Sequence, residues 1–218
     1  MDSREKILKR TADHIEQLLG GDSSGHDWWH IARVRTSALA IGKQENADLY
    51  VVELAALLHD IADWKFHGGD DKAGPRAAEA WLTELGVDPS TIEHVCEIIA
   101  TLSFKGAQVA TPMRSIEGRV VQDADRLDAI GAVGIARTFA YGGHAGQAMH
   151  DPTQAPEAHA TFADYKSKRT TTINHFYEKL LLLKDRMNTD TGRRLAEARH
   201  AFMQNFLNEF DNEWHGRS

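Results

Sequence analysis

Apolar residues recur at three- and four-residue intervals along most of the chain, and the alternation expected of strands is nearly absent, so the pattern predicts an all-α protein. Residues 2–19 carry Ile7, Leu8, Ile15, Leu18 and Leu19 on helical spacing, stopped by Gly20-Gly21. A turn through "GDSSGHDWWH" leads into a helix lined by Ile31, Val34, Ala38 and Ile41, with Asp27 as its cap. The run from Asp48 to Ala62 is apolar on nearly every side. A helix of that kind is surrounded by other helices, so it is the expected centre of the fold. Another helix is expected over "GPRAAEAWLTELG", with Pro75 in its first turn and Gly86 past its last, and the next runs from Asp88-Pro89 to about Leu102. A helix from Ile116 to Phe139 contains Gly131 and Gly134, which permit close packing or a bend. The segment 142–160 has no apolar period and two prolines and reads as a long loop; helices over 162–187 and 191–212, separated at "MNTDTG", complete the chain.

Composition narrows the class. With 218 residues, 42% hydrophobic and 26% charged, the chain is long enough for one large core and hardly for two, so a single helical domain over 1–218 is expected. Cys96 is the sole cysteine, there is no charged-then-apolar leader, and no apolar stretch approaches the ~20 residues that span a bilayer. These features predict a reducing, cytoplasmic setting without a membrane partner. A net charge of −7, with Lys and Arg scattered along the chain, argues against binding to a nucleic-acid backbone and leaves room for a small anionic ligand held by local charges.

The stretch "LAALLHDIADWKF" (54–66) sets His59, Asp60 and Asp63 in an apolar run. An unpartnered buried carboxylate costs on the order of several kcal/mol, and a bound cation is one way to offset that. His26 and His30 lie one helical turn apart, and Asp123, Asp125 and Asp128 crowd one and a half turns of a later helix. This donor set holds nitrogen and oxygen and no thiolate. It suits manganese, iron, nickel, cobalt or zinc with open positions for water and phosphate oxygens, as in a hydrolytic site. A helical wheel groups Asp123 with Ile116, Val120, Leu127 and Ile130, and Asp125 with Val121, Asp128 and Ala129. His144, His150 and His159 have spacings without helical or zinc-finger logic and are assigned no metal. The Trp28-Trp29 pair is expected to pack, with base stacking as the alternative.

"HIARV" at 30–34, "HD" at 59–60 and "DADRLDAIG" at 123–131 resemble, in that order, the HD-domain superfamily of metal-dependent phosphohydrolases. With "GHDWWHIARV", "VVQDADRLDAIGAVGIARTFAYGG" and "HFYEKLL" the likeness extends over most of the chain. It is to a bacterial branch of HD hydrolases that includes nucleotide pyrophosphohydrolases. The resemblance implies an HD-type helical bundle with a core at about 22–140, the 142–160 loop and C-terminal helices over 161–212. It also implies one divalent ion, manganese first and nickel, cobalt, iron, zinc or magnesium after it, held by His30, His59, Asp60 and Asp125. The "ADxL" context of the family selects Asp125, against the wheel, which favours Asp123.

Asp63 follows His59 by one turn, where several hydrolytic HD domains carry an acidic residue that activates or orients the attacking water; here it is Asp where Glu is common. His26, one turn from His30, is expected to bind phosphate or orient a water. Phosphate recognition needs fixed positive charge, for which Lys65, Arg126, His175 and Lys179 are the candidates. The function expected on this basis is hydrolysis of a small nucleotide, with a nucleoside triphosphate giving monophosphate and pyrophosphate. A phosphomonoesterase acting on nucleoside monophosphates is the alternative, and a non-catalytic nucleotide or metal sensor is the second alternative.

Overall fold

The computed structural model describes residues 2–20, 27–62, 70, 72–102, 110–157 and 170–217, and they form helices and turns with no strand among them. The chain makes two compact units. The first comprises Met1–Phe104 with Thr111–Ala124, and the second Lys105–Ala110 with Asp125–Ser218.

In the first unit, α1 (Ser3–Leu19) opens on a capping box between Asp2 and Glu5. Helix α2 (Trp28–Gln44) is capped as expected by Asp27, whose carboxylate accepts the His30 amide at 2.9 Å. Its predicted inner face is correct, since Ile31, Val34, Ala38 and Ile41 are fully buried. Helix α3 (Leu49–Leu58) is the expected centre: α1, α2 and α5 (Pro89–Leu102) all pack on it, and Leu54–Leu58 have no exposed surface. Each leucine buried in this way contributes about 1.5–3 kcal/mol. Helix α4 (Ala73–Glu84) lies against α5 and is followed by Gly86 at φ 69°, a left-handed turn that suits glycine. Arg35 of α2 bonds Glu53 of α3 through its Nε at 2.8 Å, which ties the two helices together along their length. Two surface expectations fail: Leu18 is 51% exposed and Trp29 is 66% exposed.

Two helix ends differ from prediction. Helix α3 stops at Leu58 and not at Ala62: Nδ1 of His59 donates at 2.9 Å to the Ala56 carbonyl, which the Asp60 amide would use in a continued helix, and the Ile61 amide turns back to the Leu58 carbonyl at 3.1 Å. The helix predicted over 116–139 is interrupted. Helix α6 (Ile116–Asp128) ends in tight bonds from Ala129 and Ile130 to the carbonyls of Arg126 and Leu127, and α7 (Gly131–His144) starts anew after extended Ile130. Gly131 carries the break at φ 77°, and a Cβ there would lie 2.9 Å from Cγ of Arg199, whose guanidinium donates to the Leu127 carbonyl. The glycine therefore does permit a bend, and with it the capping of α6 by an arginine of the last helix.

The second unit continues with α8 (Thr172–Glu178), a 3₁₀ turn (Leu180–Arg186) and α9 (Asp190–Trp214). The helix expected over 162–187 is thus two elements where described, divided at Lys179, whose φ of −140° leaves the helical region. Its core joins the Phe139, Phe176 and Phe206 rings, with centroids 5.9–6.1 Å apart. The loop expected from 142 begins only after His144. Its carbonyls at Ala148 and Met149 accept the Thr172 and Ile173 amides at 3.0 Å, Asn174 donates to Gln154, and Glu178 accepts the Glu157 amide. The loop's carbonyls at Ala148 and Met149 thus serve the otherwise unpaired amides of the first turn of α8, and Glu157 fastens it to the helix's last residue. His150 stands edge-on to the rings of Phe210 and Trp214, a packing position.

Candidate metal centre

His30 enters from the first turn of α2, where the Asp27 cap fixes its backbone. His59 and Asp60 follow the last turn of α3. The two imidazoles are buried, at 1% and 7% exposure, and face each other with Nε2 atoms 3.2 Å apart. Oδ2 of Asp60 lies 3.5 Å from each of them. The Ala56 carbonyl can only accept, so Nδ1 of His59 carries a proton, and the ring's other nitrogen, Nε2, is turned toward His30 and Asp60.

Two imidazole nitrogens and a carboxylate oxygen brought this close are a donor set that could hold a metal ion. A triangle with edges of 3.2, 3.5 and 3.5 Å has a circumscribed radius of about 2.0 Å, which is the length of a bond from imidazole or carboxylate to a small divalent ion. A small divalent ion could therefore be held by all three residues. These residues fit a divalent metal, and three ligands leave coordination positions over for other oxygens.

The structure brings the doublet and His30 together, three of the four residues proposed from the sequence as ligands. Sequence reasoning placed His59 and Asp60 inside a helix, whereas they occupy the turn that ends it. Asp123 is fully buried, as the wheel indicates, and Asp125 is half-buried; the first belongs to the first unit and the second to the second unit. Arg126 is buried and donates to the Arg186 carbonyl. His175 lies on α8 and Lys179 caps the end of that helix, its amide bonding the His175 carbonyl at 3.0 Å, and both are half-buried. His26, Asp63 and Lys65 lie outside the described residues.

The reading of the sequence missed the Arg35–Glu53 pair and the buried Gln122. Glu53 gave a signal, being the charged residue that interrupts "LYVVELAALL", and such a residue in a central helix requires a partner. Gln122 gave a weaker one, an amide between Val121 and Asp123 in a helix apolar on several sides.

Residues 28–130 match the HD domain family. YpgQ of Bacillus subtilis (strain 168) is 42% identical over 202 residues, which cover 91% of this chain and 89% of that one. An HD-superfamily hydrolase from Bacillus thuringiensis has a crystal structure that superposes with a TM-score of 0.75 at 42% identity, covering 97% of this chain and 98% of that one. Bacillus subtilis YpgQ, solved in complex with ADP, superposes with a TM-score of 0.77 at 36% identity over 97% of both chains. The order His30, His59-Asp60, then an aspartate of α6, the helical fold and these relatives agree: the chain belongs to the HD superfamily and is a metal-dependent phosphohydrolase.

Proposed function

We propose that the protein cleaves nucleoside triphosphates to a nucleoside monophosphate and pyrophosphate, with 1–218 acting as one HD-type domain in the cytoplasm. The observation that carries this reading is the buried convergence of two Nε2 atoms and one carboxylate oxygen, in a chain whose relative YpgQ was solved with ADP. The proposed ligands are His30, His59, Asp60 and, on the sequence resemblance, Asp125, with manganese as the preferred ion. When bound, the ion supplies a Lewis acid for a phosphoryl oxygen and brings the pKa of water from ~15.7 toward ~7.

The chain's own groups do the rest. Asp63 takes a proton from the attacking water or orients it, and His26, four residues before His30 in the sequence, holds a phosphate oxygen or that water. Lys65, Arg126, His175 and Lys179 offer more positive charge than a single phosphate needs, which favours a polyphosphate. Negative charge spreads over the phosphoryl oxygens as the bond breaks, so cations placed on the neighbouring phosphates stabilise departure of pyrophosphate. Arg126 acts from a side chain anchored on the Arg186 carbonyl, which limits its swing.

Phosphorus NMR of the products tests the proposal. Manganese-dependent conversion of a nucleoside triphosphate to monophosphate and pyrophosphate is expected. Orthophosphate released from monophosphates, with triphosphates intact, would replace it by the phosphomonoesterase reading. Nucleotide binding without turnover would replace it by a sensor.

A further inference from the structure

Gln122 is fully buried in α6, one residue before Asp123. Its Nε2 donates to the Leu102 carbonyl at 3.1 Å and to the Thr111 carbonyl at 3.2 Å, with the Thr111 hydroxyl at 3.4 Å. Leu102 is the last residue of α5 and Thr111 precedes α6, so a single amide is held by both backbone segments that flank 103–110. The bond to Leu102 is buried, so that carbonyl, on losing its donor, would be left without a ready replacement from water.

The same helix is held at a second point. Glu117 accepts the Asp48 amide at 2.9 Å, at the cap of α3, and its other oxygen lies 3.6 Å from His94 Nε2 on α5. Between these two points Val120 approaches Gly42 of α2 so closely that a Cβ on the glycine would stand 3.7 Å from it. The two polar contacts lie on different sides of α6, because five residues are far from a whole number of turns. Together they fix both its position along α3 and its rotation about its own axis. Rotation matters here because successive residues of a helix point about 100° apart, so the direction of Gln122 dictates that of Asp123 and Asp125.

We propose that Gln122 is a positioning residue of the metal centre: by fixing the rotation of α6 it sets the direction in which that helix offers its carboxylates to the ion. The proposal rests on the reading that an aspartate of α6 completes the ligand set.

The test titrates Mn²⁺ into the metal-free protein, following free Mn²⁺ by electron paramagnetic resonance well below the unfolding temperature. Thermal unfolding is recorded in parallel. Gln122→Met keeps the length and volume of the side chain and removes both donors; Gln122→Asn keeps an amide one methylene short of its acceptors and serves if the methionine variant folds poorly. Loss of a group that orients a metal ligand typically weakens affinity ~10–100-fold, and a loss of at least about 10-fold is expected for Gln122→Met, with the half-activating Mn²⁺ concentration rising by the same factor. Wild-type Mn²⁺ affinity in a variant with a lowered Tm would overturn the proposal, leaving Gln122 a packing residue. Asp123→Asn and Asp125→Asn are measured alongside. If both bind Mn²⁺ as the wild type does, the ligand reading itself is wrong and the proposal falls with it; if one loses Mn²⁺ and Gln122→Met does not, only the role given to Gln122 is wrong.

Discussion

Replacing His59 by alanine separates the metal from the fold. The substitution removes one corner of the donor triangle, the Nε2 that stands 3.2 Å from His30 and 3.5 Å from Asp60. In the wild type an ion present at 100 times its Kd stabilises the native state by about 2.7 kcal/mol. For a chain of this size ~1 kcal/mol moves the Tm by about 2–4 °C, so adding Mn²⁺ at that level should raise the wild-type Tm by roughly 5–11 °C. Loss of a direct ligand weakens binding at least as much as loss of a group that orients one, ~100-fold, which brings the same Mn²⁺ concentration down to about one Kd. The stabilisation then falls to about 0.4 kcal/mol and the shift to roughly 1–2 °C. The protein should still fold. What the backbone loses is the bond from Nδ1 to the Ala56 carbonyl, about 0.5–1.5 kcal/mol, and that carbonyl can accept the Asp60 amide if α3 extends by a residue. Differential scanning calorimetry with and without Mn²⁺, with circular dichroism to confirm helix content, reads both quantities. A wild-type Mn²⁺ shift in His59→Ala would refute the assignment of the site.

Gly131→Ala is expected to lower stability by about 2–3 kcal/mol, from ~1–2 kcal/mol of left-handed backbone strain and the displacement of Arg199 from the Leu127 carbonyl. Chemical denaturation measures it, and a double-mutant cycle with Arg199→Ala should show that the two losses overlap; strict additivity would count against the contact. Asp63→Asn should keep Mn²⁺ affinity and lower kcat ~100-fold or more, as loss of a general base does. Steady-state kinetics at saturating Mn²⁺ decides this, and an unchanged kcat would remove Asp63 from the chemistry.

Much of the helical framework was legible because each α-helix is written as a period of apolar residues between recognisable ends. Asp27 announced the start of α2, Gly86 the end of α4, and the all-round apolar 54–58 the centre of the first unit. The three-donor site was legible for a different reason: His59 and Asp60 interrupt an apolar run, where a polar pair calls for a partner. What stayed hidden depends on contacts distant in the chain. The end of α3 at Leu58 follows from the bond of the imidazole to Ala56, and the break at Gly131 from an arginine far along the sequence, neither of which a local period records. The loop after His144 looked unstructured because its order comes from the amides of α8 and not from apolar burial.

His30 and His59 are 29 positions apart, one in the first turn of α2 and the other just past α3. An ion bonded to both closes that length of chain into a ring, as a disulfide would. By the chain-entropy relation a permanent link of ~30 residues takes about 3.6 kcal/mol of freedom from the unfolded ensemble. This link, unlike a disulfide, can be withdrawn: the α2–α3 hairpin cannot come apart until the ion leaves one imidazole. Chelation would therefore raise the rate of unfolding as well as lower the equilibrium stability, so that in a cell short of the metal the loss of activity and the exposure of this hairpin to proteases would come together.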